Sequence, residues 1–134
     1  MKYNSLREKI SAEKQERIER YEKFAELWED ACKQGDECAS NHTPQTMIVS
    51  SYTTQWVEPE GVCGFAEIRL PKGNTSFAHW AKKNAGFSKH YYGGLYYWGS
   101  GYGQSMERKE AFARKACEVL KEGGIDCYAT SRMD

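Results

Sequence analysis

The chain has 134 residues, 19 cations balanced by 19 acids, and a hydrophobic content of 40%. One domain of that length buries a real core without stapling by disulfides or metal, and zero net charge excludes a global pull on polyanions. No apolar run approaches the roughly 20 residues of a membrane span, no signal-peptide hydrophobic region opens the chain, and five cysteines, an odd number, read as free thiols of a reducing cytosol.

Residues 5–34 read as one long helix. Ile18, Tyr21, Ala25, Trp28 and Cys32 recur at three- and four-residue steps as an apolar stripe. Leu6 and Ile10 extend the stripe backwards across Lys14, and pairs such as Glu13–Arg17 and Glu19–Lys23 support the solvated faces. Gly35 is expected to end the helix, with residues 36–45 as a loop. The helix either docks on the domain or serves self-association as a homodimer or binding of a partner.

The residues Met47 to Val57 are β-prone and read as one strand. Pro59 and Gly61 supply a turn. Val62 to Leu70 alternates Phe65, Glu67 and Arg69 against Ala66, Ile68 and Leu70, so a second strand is expected, paired to the first as a hairpin. A short capped helix spans 75–84, with Phe77, Trp80 and Ala81 inward. Tyr91 to Trp98 is β-prone and holds Gly93-Gly94, which makes it a kinked strand or a tight hairpin. Ser105 caps an amphipathic helix to Glu122 whose inner stripe is Phe112, Ala113, Ala116, Cys117, Val119 and Leu120. A last strand covers 125–130. The fold class is α+β: a small, mostly antiparallel sheet with two helices on one face, preceded by the long N-terminal helix. If 91–98 forms a hairpin, the order is the split β-α-β arrangement of ferredoxin-like domains. The organisation is a charged helix at 1–35 and an α+β domain at 46–134.

Charge is divided unevenly along the chain. Residues 35–62 hold four acids and no cation, whereas Ile68 to Met106 holds no acid, five cations (Arg69, Lys72, Lys82, Lys83, Lys89) and nine of the eighteen aromatics. Strand alternation puts Leu95 and Tyr97 on one face and Tyr96 and Trp98 on the other, so aromatics meet solvent or a partner. The expected contact surface is Lys82, Lys83, Lys89, Tyr91, Tyr92, Tyr96, Trp98 and Tyr102. Tyrosine and tryptophan anchor protein interfaces and also stack on bases. The consensus of the RNA-recognition aromatic strand is absent.

Gly99, Ser100, Gly101, Gly103 and Ser105 join a strand to a helix, where backbone N–H groups and a helix N-terminus can hold phosphate. The loop is neither a Walker A sequence nor a dinucleotide fingerprint. Cys32, Cys38, His42 and Cys63 could furnish a zinc site, but their spacing is looser than the pairs structural zinc favours. No nucleophile elbow or HExxH spacing occurs, and paired carboxylates are scarce in the basic segment. The reading is a non-enzyme with no cofactor and no metal.

Residues 63–66 (Cys-Gly-Phe-Ala), 73–80 (Gly-Asn-Thr-Ser-Phe-Ala-His-Trp), 91–94 (Tyr-Tyr-Gly-Gly), 104–111 (Gln-Ser-Met-Glu-Arg-Lys-Glu-Ala) and the ending Ser-Arg-Met-Asp resemble a group of small uncharacterised proteins of tailed bacteriophages. The resemblance covers about residues 62–134 and implies a host bacterial cytoplasm. The function it implies is a non-catalytic accessory protein that binds and inhibits or redirects a host factor, as an anti-defence (anti-CRISPR-like) inhibitor does. Its partner would be a host protein or protein–nucleic-acid complex. The alternative is a protein that binds or sequesters a nucleotide or single-stranded nucleic acid.

Overall fold

The computed structural model describes residues 5–50, 54–58, 61, 63–98, 101–103 and 105–133. In chain order these form α1 (Leu6–Asn41), β1 (Met47–Ser50), β2 (Gln55–Glu58), β3 (Gly64–Leu70), α2 (Ser76–Asn84), β4 (Ser88–Lys89), β5 (Leu95–Trp98), α3 (Met106–Glu122) and β6 (Tyr128–Met133). The class is α+β. The main sheet has four strands in the order β4-β5-β3-β6, and every neighbouring pair is antiparallel. No described helix is long and apolar enough to cross a membrane.

Alternation along β3 divides the sheet into two faces. Ala66, Ile68 and Leu70 are buried, while Phe65, Glu67 and Arg69 are only partly covered. Register carries the division to β5, where Tyr97 lies opposite Ile68 and Leu95 opposite Leu70. The helices cover this inner face. Phe112 of α3 meets Tyr97 at 6.3 Å, and Trp28 of α1 meets Phe87 at 5.2 Å and Tyr97 at 5.0 Å. The inner stripe of α3 is buried as expected, and Ser105 and Thr75 cap α3 and α2 through their side chains.

Four expectations need correction. Gly35 does not end α1, which continues to Asn41 and so takes in the first part of the segment read as a loop. A Cβ at Gly35 would come within 2.8 Å of the Phe112 ring and 3.0 Å of the Phe112 carbonyl oxygen. The glycine therefore serves close approach of two helices. The last turn is held from outside: Arg108 Nη1 donates to the carbonyls of Ala39 (2.8 Å) and Ser40 (3.3 Å). The docking stripe keeps Tyr21, Trp28 and Cys32 of the one expected and loses Ile18 and Ala25. Tyr21, Phe24, Leu27, Trp28, Ala31, Cys32 and Ala39 join the core, whereas Leu6, Ile10 and Ile18 are exposed and Ala25 is exposed too.

Residues 47–57 are not one strand paired to β3. The described parts form β1 and β2, which pair with each other in a separate two-stranded sheet (Ile48 opposite Val57). Nor is 91–98 the hairpin. Its two arms are β4 and β5, and residues 90–94 make the turn, with His90 N donating to Gly94 O at 2.9 Å. Gly94 has φ 70° and sits so near Leu70 that a Cβ would strike its carbonyl oxygen.

Tyr102, at φ 59°, turns its ring to Phe112 at 6.1 Å, and its hydroxyl donates to Asp36 of α1. Burial, then the hydrogen bond and charge of Asp36, push the Tyr102 phenol well above its usual range. Cys32, on the same face of α1, is raised from 9.0 to about 11, first by burial and then by Asp36.

Two outcomes follow from this packing. Gly35→Val should lower unfolding free energy by about 2–3 kcal/mol through overpacking against Phe112, measured by urea denaturation; an unchanged midpoint would contradict the close approach. Cys32 is neutral when folded but ionises at about 9 when unfolded, so unfolded chains bind fewer protons above that pH. Stability should therefore fall as pH rises from about 9 to about 11, and Cys32→Ala should flatten that part of the pH profile of thermal unfolding.

Candidate functional site: the open face of the sheet

The face of the sheet opposite the helices is a shallow groove of about 580 Å³. Register builds it in rows. Trp98, Glu67 and Thr130 lie opposite one another across β5, β3 and β6; Tyr96, Arg69 and Tyr128 form the next row; Phe65 faces Arg132. The Phe65 and Trp98 rings sit 5.0 Å apart on adjacent central strands. Arg132 stands over Phe65 at 5.6 Å, and Lys109 Nζ reaches the same ring at 5.3 Å while donating to Gly64 O at 3.2 Å. Lys89 and Tyr91 close the β4 side of the groove.

One carboxylate lies on the floor. Glu67 Oε1 accepts from Thr130 Oγ1 at 3.2 Å and has Arg69 Nη1 at 3.6 Å and His90 Nε2 at 3.8 Å. The side chains of all three charged or titratable groups are only 15–20% exposed. Arg69 also stands over the Tyr128 ring at 5.7 Å, and its Nε is buried with no hydrogen-bond partner among the described residues. A buried donor left without a partner costs free energy. His90 Nδ1 accepts from the backbone N–H of Tyr92 at 3.0 Å, which leaves the ring proton of neutral His90 on Nε2, toward Glu67.

The structure divides the residues singled out from sequence. Lys89, Tyr91, Tyr96 and Trp98 line the groove. Tyr92 lies beside Tyr91 at the hairpin tip, their rings edge to face at 5.1 Å, and both are almost fully exposed. Lys82 and Lys83 are exposed on α2, which packs into the helical layer, and neither lines the groove. Tyr102 belongs to the inner side, against Phe112 and Asp36.

Of the glycine loop, Gly99 and Ser100 lie outside the described residues. Gly101 and Gly103 have positive φ, and no atom of the described residues lies within 4 Å of where a Cβ would stand. Ser105 is buried; its side chain caps α3 from within by accepting from Arg108 N at 3.3 Å. The first turn of α3 also holds Glu107, whose carboxylate accepts from Gln45 N at 2.8 Å and has His42 Nε2 at 3.5 Å. A phosphate at this helix terminus would meet that negative charge. Among the described residues no group of three or more His, Cys, Asp or Glu side chains is placed to hold a metal ion.

Sequence reasoning missed Phe65, Glu67, Arg69, Thr130 and Arg132 as site residues. Their signal was the alternation along 65–69, which sets Phe65, Glu67 and Arg69 apart from the apolar face. The partners on β6 come only from register. No family model matches the chain, and neither a curated protein nor a solved structure does.

Proposed function

We propose that the open face of the sheet binds single-stranded nucleic acid, without catalysis. The observation that carries this reading is the Phe65–Trp98 ring pair on the two central strands, on the sheet face opposite the helices and flanked by cations, among them Lys109 at the end of its reach from α3. Unpaired bases stack on such aromatic faces whatever their sequence, and cationic groups at the margins follow the backbone phosphates. Lys89 on β4 and Arg132 on β6 belong to the two edge strands, so a chain crossing the sheet would meet a cation at each margin. The charge balance of the groove supports a polyanion: among its described lining residues Arg69, Lys89 and Arg132 outnumber one acid, Glu67. Its volume falls within the roughly 300–1,000 Å³ of small-ligand sites, which suits one or two bases.

The role of a phage accessory protein that inhibits a host factor is the second reading. It is favoured by Tyr91 and Tyr92, 91% and 85% exposed at the hairpin tip, because exposed tyrosines anchor protein interfaces. The bacterial setting of that reading rests on the phage resemblance of residues 62–134. Exposed Leu6, Ile10 and Ile18 on the first half of α1 support self-association through that helix.

Binding of a labelled single-stranded hexanucleotide, followed by anisotropy at low salt, tests the first reading. Trp98→Ala and Phe65→Ala should each weaken binding by about 1–3 kcal/mol, while Lys82→Ala/Lys83→Ala should leave it unchanged. The slope of log K against log salt should be roughly −1.4, for two phosphate contacts at about 0.7 each, and Lys89→Ala should halve it. Affinity unaffected by loss of Trp98 and Phe65 would overturn the reading.

A further inference from the structure

Resting on the reading of the open face as a single-strand platform, we propose that its floor selects guanine. The groups concerned are Glu67, Arg69 and His90, which do no work in stacking.

Carboxylate and cations lie in a definite order. Both cationic or proton-bearing groups, Arg69 Nη1 and His90 Nε2, approach Oε1 of Glu67, as does the Thr130 hydroxyl. Oε2 has no hydrogen bond or ion pair among the described residues. The ion-pair distances of 3.6 and 3.8 Å are too long for strong hydrogen bonds, so Oε1 keeps acceptor capacity and the cations keep donors to spend. Along the floor the groups therefore run donor, acceptor, acceptor.

Guanine is the complement of that order. Its pairing edge presents the O6 acceptor, then the N1–H donor, then the N2 amino donor. Glu67 takes the two donors through its two oxygens, and Arg69 or His90 donates to O6. The geometry is that of a bidentate carboxylate pair with one ionised partner, which is strong and directional. Adenine and cytosine each offer one donor on that edge and place a lone pair against the second carboxylate oxygen. Thymine and uracil offer a single N–H between two acceptors. A partly buried carboxylate left facing a lone pair loses its hydrogen bond and gains repulsion, which is how polar sites reject the wrong base.

The position of the floor relative to the rings supports the same assignment. Glu67 lies directly opposite Trp98 in the register, beside the Phe65–Trp98 pair. A base stacked on Trp98 would bring its edge to the carboxylate without leaving the platform.

The test uses the intact chain and four thymidine-rich hexanucleotides that differ at one central base: guanine, adenine, cytosine or hypoxanthine. The guanine strand should bind about 5- to 150-fold more tightly than the adenine or cytosine strand, the discrimination of one good bidentate contact. Hypoxanthine, which lacks only the N2 amino group, should fall between. Glu67→Gln should still bind all four strands but with the guanine preference lost. Equal affinities for the four strands would overturn base selection and leave single-strand binding standing. An undiminished guanine preference in Glu67→Gln would overturn the role of Glu67. Failure of every strand to bind saturably would overturn both readings together. The hypoxanthine arm needs no variant, so a folding defect in Glu67→Gln leaves the proposal open to refutation.

Discussion

The contact of Gly35 with Phe112 sets the arrangement of everything around it. It allows α1 and α3 to approach at backbone distance, where any side chain at position 35 would hold them apart. Phe112 then touches Tyr97 and Tyr102, and Trp28, two turns earlier on α1, reaches Phe87 and Tyr97. One aromatic layer thus ties the long helix, the third helix, the hairpin and the glycine-rich loop into a single inner core. Aromatic rings bury large area and prefer edge-on or tilted contacts, so such a layer is well packed and directional.

The inner layer has a consequence for the outer face. Strand alternation gives β3 and β5 one set of side chains to bury and one to display. The inner set, Ala66, Ile68, Leu70, Leu95 and Tyr97, is taken up by the helices. Phe65, Tyr96 and Trp98 are turned away from the helices and lie among cations instead, with Lys109 of α3 and Arg132 of β6 at the Phe65 ring. A sheet with one face packed and the other open is the ordinary state of small antiparallel sheets; what marks this one is that the open side carries rings where polar residues would be more usual.

Much of this was legible in the sequence because it rests on periodicity. The stripe of α3, its Ser105 cap, the alternation of β3 and the division of Tyr96 and Trp98 from Leu95 and Tyr97 all follow from periods of 3.6 and 2. The errors lie where tertiary contact overrides a local signal. Gly35 carries the chemistry of a helix end, yet Phe112 and the Arg108 caps, each more than 65 residues away, turn it into a mid-helix close contact. Spacing alone runs the stripe of α1 through Ile18 and Ala25, although the partner surface selects Phe24, Leu27 and Ala31. The site suffered similarly. The acid-free, aromatic stretch begins just after Glu67, and Arg132 and Thr130 enter only through antiparallel register with β3.

The length of α1 has a mechanical meaning. At about 1.5 Å per residue, its 36 residues extend roughly 54 Å, yet its core contacts begin only at Tyr21. About 14 residues, Leu6 to Glu19, or roughly 21 Å of helix, therefore precede the first contact with the body, the Arg20–Ser76 hydrogen bond, and carry equal numbers of both charges. Such a spar raises the molecule's friction well beyond that of a sphere of the same mass. It makes tumbling anisotropic, slow about axes across the helix and faster about the helix itself. The outer face of the sheet, fixed to the same rigid helical layer, shares that motion.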